Sequence, residues 1–271
     1  MTTTYVGAAA PVAPWLGGKK ALAKTLIERI EGVEHKSYVE PFVGMGGVFL
    51  RRAYRPESEV INDFNGEIIN LFRILQRHYP QFMDCLKFQI SSRREFERLR
   101  SIDPSTLTDL ERAARFLYLQ RQAFGGQVRG VFGVAAARSS RFDLTRLGPI
   151  LEEAHERLAG VVFESLDWKD VVERYDTPGT LFYLDPPYFG GEKDYGKDMF
   201  DRQQYKTMAE TLGKIKGKFL LSINDKPEIR EWFDGFYIDE VRLKYTISQK
   251  GTDGKASELI ISNWKAVAGL F

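Results

Sequence analysis

The stretch LFYLDPPYFG, residues 181–190, constrains the fold of this chain more than any other. Four apolar residues, Leu181, Phe182, Tyr183 and Leu184, read as a strand that runs straight into Asp185, Pro186, Pro187 and Tyr188. Proline cannot donate to a sheet ladder and pushes the preceding residue into an extended conformation, so the pair ends the strand and leaves Asp185 at its carboxyl end. In open α/β sheets that edge is where ligands bind. A strand followed by a polar turn leaves the same local signature, and the rest of the chain must decide between the two.

The chain upstream begins as β-α-β-α. LGGKKALAKTLIERIEG predicts a Gly-rich turn and an amphipathic helix, with Leu22, Leu26, Ile27 and Ile30 near helical spacing and Gly32 as its stop. SYVEPFVGMGGVFLRRAY then reads as strand, glycine-rich turn and helix, and SEVINDFNGEIINLFRIL as a second strand, a turn at Asp63 to Gly66 and a second helix. From about Pro80 to Arg100 the strand signal disappears. LTDLERAARFLYLQRQAF predicts one long helix with Thr108 as cap and Glu111 three positions on. After a loop rich in Gly, Ala, Ser and Arg, the pattern resumes with a helix around Leu147 to Leu158, the strand GVVFESL and the strand ending in Asp185. A helix near Gln203 to Ile215, the strand KFLLSIND, a short helix near Glu228 to Phe233 and the strands GFYIDEVRL and ELIISNW complete it. The expectation is a parallel-sheet domain of residues 1–78 and 148–271, split by a mostly helical insertion at 79–147, within the usual size of a small domain.

Composition narrows the function classes. With 43% hydrophobic and 28% charged residues among 271, the chain is an ordinary globular protein, long enough for a substantial core. The N-terminus lacks a signal-peptide pattern and there is no 18-residue apolar span, so secretion and membrane insertion are not expected. One cysteine, Cys85, and three scattered histidines, His35, His78 and His155, predict a cytoplasmic protein without disulfide or structural metal. The net charge is only +2, but Ser91 to Leu147 holds eleven arginines, six acids and no lysine. Arginine's planar fork suits phosphates and the guanine edge, so this region reads as a nucleic-acid footprint, with a solvated helical face as the plainer alternative.

EPFVGMGG lies between a predicted strand and a predicted helix, where glycines let backbone approach a cofactor. The third glycine of a dinucleotide fingerprint is replaced by Phe49, which disfavours NAD. Asp63, 19 residues after Gly44 at the end of the next strand, is suited to accept hydrogen bonds from both ribose hydroxyls. A nucleoside cofactor without a pyrophosphate fits both facts, and S-adenosylmethionine is the obvious candidate.

In order, PWLGGKK, EPFVGMGGVF, INDFN, FLYLQRQAFGG, LDPPY and ELIISN resemble the DNA adenine methylase (Dam-like) group of amino methyltransferases in its alpha arrangement, across nearly the whole chain. The resemblance implies a Rossmann-like methyltransferase fold with an inserted target-recognition domain, S-adenosylmethionine as methyl donor, S-adenosylhomocysteine as product, no metal, and double-stranded DNA as partner in a bacterial, prophage or phage setting. It places Trp15, Lys19, Phe42, Gly44, Gly46, Asp63, Asp167 and Asp185 at the cofactor, with Lys19 near its carboxylate and Asp167 reaching its adenine. Asp167 is equally suited to cap the helix that follows. The catalytic tetrapeptide is Asp185, Pro186, Pro187 and Tyr188. Asp185 and the Pro186 carbonyl would each accept one N–H of the target amine and aim its lone pair at the methyl group, while Tyr188 stacks on the base. Reaching that amine in duplex DNA requires base flipping.

Two departures from the family pattern stand out. Pro14 precedes Trp15 where many relatives carry a basic residue, and Gly125, Gly126 and Gln127 follow FLYLQRQAF where readers of GATC commonly have an Asn-Gly-Leu-like hairpin. GATC recognition therefore does not carry over. Arg129 suits a guanine and Gln127 an adenine; alternatively Arg121, Arg129, Arg138 and Arg141 neutralise phosphates and give relaxed specificity. A short, degenerate target is expected. The competing classes are a methyltransferase acting on structured RNA and a DNA-binding relative without catalysis.

Overall fold

A computed structural model describes residues 3–15, 17–124, 130–133, 140–191, 200–244 and 255–265. In chain order its strands are β1 (Thr4–Tyr5), β2 (Ser37–Glu40), β3 (Tyr54–Arg55), β4 (Ser58–Asn62), β5 (Val162–Glu164), β6 (Thr180–Leu184), β7 (Lys218–Asn224), β8 (Tyr237–Lys244) and β9 (Lys255–Ser262). Its α-helices are α1 (Ala23–Glu31), α2 (Gly66–Arg77), α3 (Tyr79–Leu86), α4 (Arg93–Ser101), α5 (Asp109–Gln122), α6 (Leu144–Arg157), α7 (Trp168–Tyr175), α8 (Arg202–Leu212) and α9 (Pro227–Trp232). Among the described residues, seven strands form one sheet in the order β5-β4-β2-β6-β7-β9-β8, and β1 pairs with β3 apart from it.

The first five strands of that order run parallel, whereas β9 is antiparallel to both β7 and β8. This is the Rossmann-like α/β fold that the resemblance implies; the parallel sheet expected from the strand and helix pattern holds for five strands, and β8 and β9 depart from it as an antiparallel hairpin at one edge. Because β2 has β4 on one side and β6 on the other, the chain leaves it in opposite directions and opens a crevice at the strands' carboxyl ends. Alternation along each strand sends side chains to opposite layers. Leu181 and Tyr183 join α1 to α6 in one core, while Phe182 and Leu184 join α7, α8 and α9 in the other. All five residues of β6 are buried.

The expected long helix carries a full capping box: the Thr108 side chain accepts from the Glu111 backbone N–H, and the Glu111 carboxylate accepts from that of Thr108. Residues of α3, α4 and α5, which lie in the expected insertion at 79–147, share one continuous core with α1, α2 and α6.

One expected element is different. After the glycine turn there is only a 3₁₀ turn at Phe49–Arg51, not an α-helix. The reason is local, since β3 begins three residues later and the Arg52 side chain enters a buried ion cluster with Glu59 and Arg157.

Candidate active site

The loops that follow β2, β4 and β6 meet at one cleft of about 1310 Å³. In the first loop Gly44 and Gly46 have φ of +50° and +70°, a region that favours glycine. A Cβ at Gly44 would lie 2.8 Å from the Trp15 indole nitrogen, so the absence of a side chain is what lets Trp15 pack against this turn. The second loop begins at Asp63. Its Oδ2 accepts from the Gly44 backbone N–H at 2.9 Å and its Oδ1 from that of Asn65 at 2.9 Å, which binds the two loops together. Burial pushes the Asp63 carboxyl up to about 6, against the pull of those two hydrogen bonds. Buried Asn62 locks the same edge by donating to the Pro41 and Leu166 carbonyls and accepting from the Leu166 N–H.

At the end of β6, Asp185 enters a compact polar cluster. The Lys19 ammonium, 3% exposed, lies 3.0 Å from Asp185 Oδ1 and 3.4 Å from Glu258 Oε2. It also donates to the Tyr188 hydroxyl at 2.9 Å, and that hydroxyl donates to Glu258 Oε1. Ser222 on β7, the neighbouring strand, donates to Asp185 Oδ1 at 3.2 Å and in turn takes a hydrogen bond from Tyr183. Both described hydrogen-bonding contacts of this carboxylate therefore fall on Oδ1. Burial raises Asp185 to about 6, with Lys19 opposing and Glu258 adding to the shift. Glu40, at the end of β2 and on the cleft wall, is raised further, to about 8, by full burial, although it accepts from the Tyr38 hydroxyl at 2.6 Å.

Of the residues singled out from the sequence, Trp15, Lys19, Phe42, Gly44, Asp63, Asp185 and Pro187 line the cleft. Gly46 turns the same loop against Leu50. Pro186 and Pro187 are buried, and the Pro187 carbonyl accepts from Tyr205 at 2.9 Å. Lys19 contacts Asp185, although the resemblance implies a place near the cofactor's carboxylate. Asp167 caps α7 by accepting from the Lys169 backbone N–H, and it is exposed and away from the cleft lining. Arg121 is half-buried and donates to the Val12 and Arg141 carbonyls; Arg141 donates to the Ala123 carbonyl. Gln127, Arg129 and Arg138 lie outside the described residues.

Sequence reasoning missed Glu258, Ser222 and Asn224. The last holds the Phe189 backbone by both its N–H and its carbonyl, at 2.9 Å each, and so fixes the loop after the tetrapeptide. Ser222 and Asn224 show only as polar positions in the KFLLSIN strand, and Glu258 only as the first residue of ELIISN. Also missed were Arg51, Arg100, Arg112 and Arg115 on the cleft wall, hidden among many arginines of similar appearance.

Comparison with known proteins gives a consistent result. The family described as D12 class N6 adenine-specific DNA methyltransferase matches residues 15–247. Type II methyltransferase M.CviBI of Paramecium bursaria Chlorella virus NC1A is 26% identical over 263 residues, covering 94% of this chain and 99% of that protein. Type II methyltransferase M1.LlaDCHI of Lactococcus lactis subsp. cremoris is 28% identical, with 94% and 95% covered. The DNA adenine methylase of Escherichia coli (strain K12) is 26% identical, with 91% and 92% covered.

Proposed function

The chain belongs to the D12 class of N6 adenine-specific DNA methyltransferases, and from that premise we propose how its cleft carries out the reaction. The activity is S-adenosylmethionine-dependent methylation of adenine N6 in DNA. When bound, the cofactor would supply an electrophilic methyl carbon on a sulfonium, with the neutral thioether as leaving group. The lining of the cleft suits such a group. Asp63 offers a half-buried carboxylate for ribose hydroxyls, the Gly44 turn gives close backbone approach, and Trp15 and Phe42 give apolar walls. Asp167 serves as a helix cap. Lys19 serves Asp185 and not the cofactor's carboxylate, because its ammonium is already enclosed among Asp185, Tyr188 and Glu258.

The observation that carries this reading is that Asp185 shares one cleft with Asp63 and Trp15. An exocyclic amine is a weak nucleophile because its lone pair is delocalised into the purine. Asp185 Oδ2 accepts one N–H of a flipped adenine and the Pro186 carbonyl the other, which aims the lone pair at the methyl group. The Pro187 carbonyl is already taken by Tyr205, which favours Pro186 for this role. Once the new N–C bond has formed, nitrogen carries an excess proton, and Asp185 Oδ2 takes it.

Residues 1–78 and 148–271 act as the catalytic part, and 79–147 supplies target recognition on duplex DNA. Supporting this division, Arg100, Arg112 and Arg115 of this segment line the same cleft as Asp185, Arg112 paired with Glu67 and Arg100 with Glu97. The target is short and degenerate. The test is methyl transfer from labelled cofactor to unmethylated duplex DNA, beside transfer and ribosomal RNA, with modification-sensitive sequencing of the product. N6-methyladenine in DNA, abolished by Asp185→Ala, is the expected result. Transfer confined to RNA, or to cytosine, would overturn it.

A further inference from the structure

We propose that Glu258 is a positioning residue for methyl transfer, its carboxylate holding both the Lys19 ammonium and the Tyr188 hydroxyl around Asp185. The proposal rests on the reading of Asp185 as the acceptor of the target amine.

Glu258 begins the ELIISN segment of β9 and sits opposite Asn224 of β7 in the antiparallel register. It is 1% exposed, and the three residues after it, Leu259, Ile260 and Ile261, are all core. A carboxylate in that setting is costly unless charged or hydrogen-bonding groups meet it, and a well-packed apolar residue would serve stability as well or better. A buried charge is therefore weak evidence for stability, and its partners point to another role. One oxygen accepts from Tyr188, which belongs to the tetrapeptide, and the other faces the Lys19 ammonium at 3.4 Å. Lys19 in turn lies 3.0 Å from Asp185, donates to Tyr188 and sits 4.3 Å from the centre of its ring. Lys19, Tyr188 and Glu258 form a closed circuit, and Asp185 joins it through Lys19.

Two effects follow from this circuit. The Tyr188 ring is anchored at its hydroxyl, which sets the orientation of the tetrapeptide's aromatic face. The single ammonium is shared between two carboxylates, so Lys19 is drawn partly away from Asp185, and Asp185 keeps enough basicity to accept an N–H. The charged and titratable groups that face Asp185 are Lys19 from the N-terminal loop, Glu258 from β9, Glu40 from β2 and Tyr183 from β6, with the Ser222 hydroxyl against its Oδ1. With Glu258 neutralised, Lys19 has only Asp185 as its anion among these contacts. Asp185 then ionises at lower pH and becomes a poorer acceptor.

The experiment uses the full chain with S-adenosylmethionine and unmethylated duplex plasmid DNA. It compares wild type, Glu258→Gln, Glu258→Asp and Asp185→Ala in steady-state kinetics from acid to neutral pH, with thermal unfolding of each. Glu258→Gln is expected to lower kcat about ten- to hundredfold, as misplacement of a reacting group does. KM for DNA and cofactor should change by no more than about twofold, the signature of an interaction that matters in the transition state. The acid limb of the rate profile should move to lower pH, and Glu258→Asp should recover part of kcat. Wild-type kcat with an unmoved acid limb in Glu258→Gln, while Asp185→Ala is dead, would overturn the inference and leave the site intact. So would a loss that follows only a fallen melting temperature and spares the pH profile. Undiminished transfer by Asp185→Ala would overturn both readings together.

Discussion

The Lys19 ammonium lies 3.0 Å from the Asp185 carboxylate although the two residues are 166 positions apart, one before α1 and the other just after β6. Burial lifts Asp185 to about 6 and Lys19 holds it below where burial alone would put it. Asp185 must be ionised to accept an N–H, so the methylation rate is expected to rise roughly tenfold per pH unit below about 6 and level off above it. Lys19→Met removes the opposing cation. Its acid limb should therefore move to higher pH, and kcat should fall. A pH series of initial rates for the two proteins checks this, and an unshifted limb would mean that Lys19 does not govern Asp185.

Glu40 gives a prediction about stability. Its folded value, about 8, lies above the ordinary 4.5 because the carboxyl is fully buried. The neutral form is thus favoured by folding, and its contribution is complete below about 4.5 and lost as pH rises through about 8. Glu40→Gln keeps a neutral group of the same shape. The difference in unfolding free energy between wild type and Glu40→Gln should drift against wild type between pH 5 and 8, measured by urea titration. A constant difference across that range would show that Glu40 is not held neutral.

Gly44 combines positive φ with a Cβ position 2.8 Å from the Trp15 indole. Gly44→Ala is expected to destabilise the protein by about 1–3 kcal/mol through backbone strain alone. Displacement of Trp15 should also raise KM for the cofactor more than KM for DNA. Thermal unfolding and cofactor titration read the two effects. Unchanged cofactor binding would remove this turn from the cofactor site.

The parts of this molecule that were legible in its sequence are those fixed by local chemistry. The prolines after Leu184 mark a strand end, the apolar spacing of α1 and α2 marks helices, and Thr108 with Glu111 marks a cap; each signal lies within a few residues of its consequence. Asp63 and Asp185 were legible because both close apolar strands. The helix expected after Gly47 was not formed, because the buried Arg52 contact with Glu59 and the start of β3 cut it short. The place of Lys19 was unreadable for a different reason. Its partners come from β6 and β9, and only the order of strands brings those edges together. Arg121 looked like Arg141 in sequence, yet one is half-buried and the other exposed.

That contrast makes Arg121 testable. It donates to the Val12 carbonyl at 2.7 Å and the Arg141 carbonyl at 3.0 Å, while neighbouring Gln120 donates to the Pro14 carbonyl at 2.7 Å. The end of α5 thereby holds the loop that carries Trp15 and Lys19. Arg121→Ala is expected to cost about 1–3 kcal/mol of stability by leaving the buried Val12 carbonyl without its donor. It should weaken cofactor binding and leave the salt dependence of DNA binding unchanged, because this guanidinium donates to backbone carbonyls. A salt slope smaller by one charge, with stability unchanged, would restore Arg121 to the DNA interface.

Near the start of β4, Glu59 bridges two guanidiniums in a fully buried cluster. Arg157 meets both its oxygens, at 2.7 and 2.8 Å, and Arg52 meets one at 3.0 Å, each of the three residues being 3% exposed or less. Arg157 also donates to the Arg52 and Phe49 carbonyls, so the cluster pins the 3₁₀ turn that follows the glycine loop. Glu59→Gln leaves two buried cations without their anion and is expected to cost about 3–5 kcal/mol, enough to unfold a marginal domain. Replacing all three by apolar residues of similar volume removes the desolvation penalty together with the attraction, and should return most of that loss. Urea unfolding of the single and triple variants distinguishes the outcomes. A Glu59→Gln variant as stable as wild type would mean that water or a counter-ion already screens the two arginines.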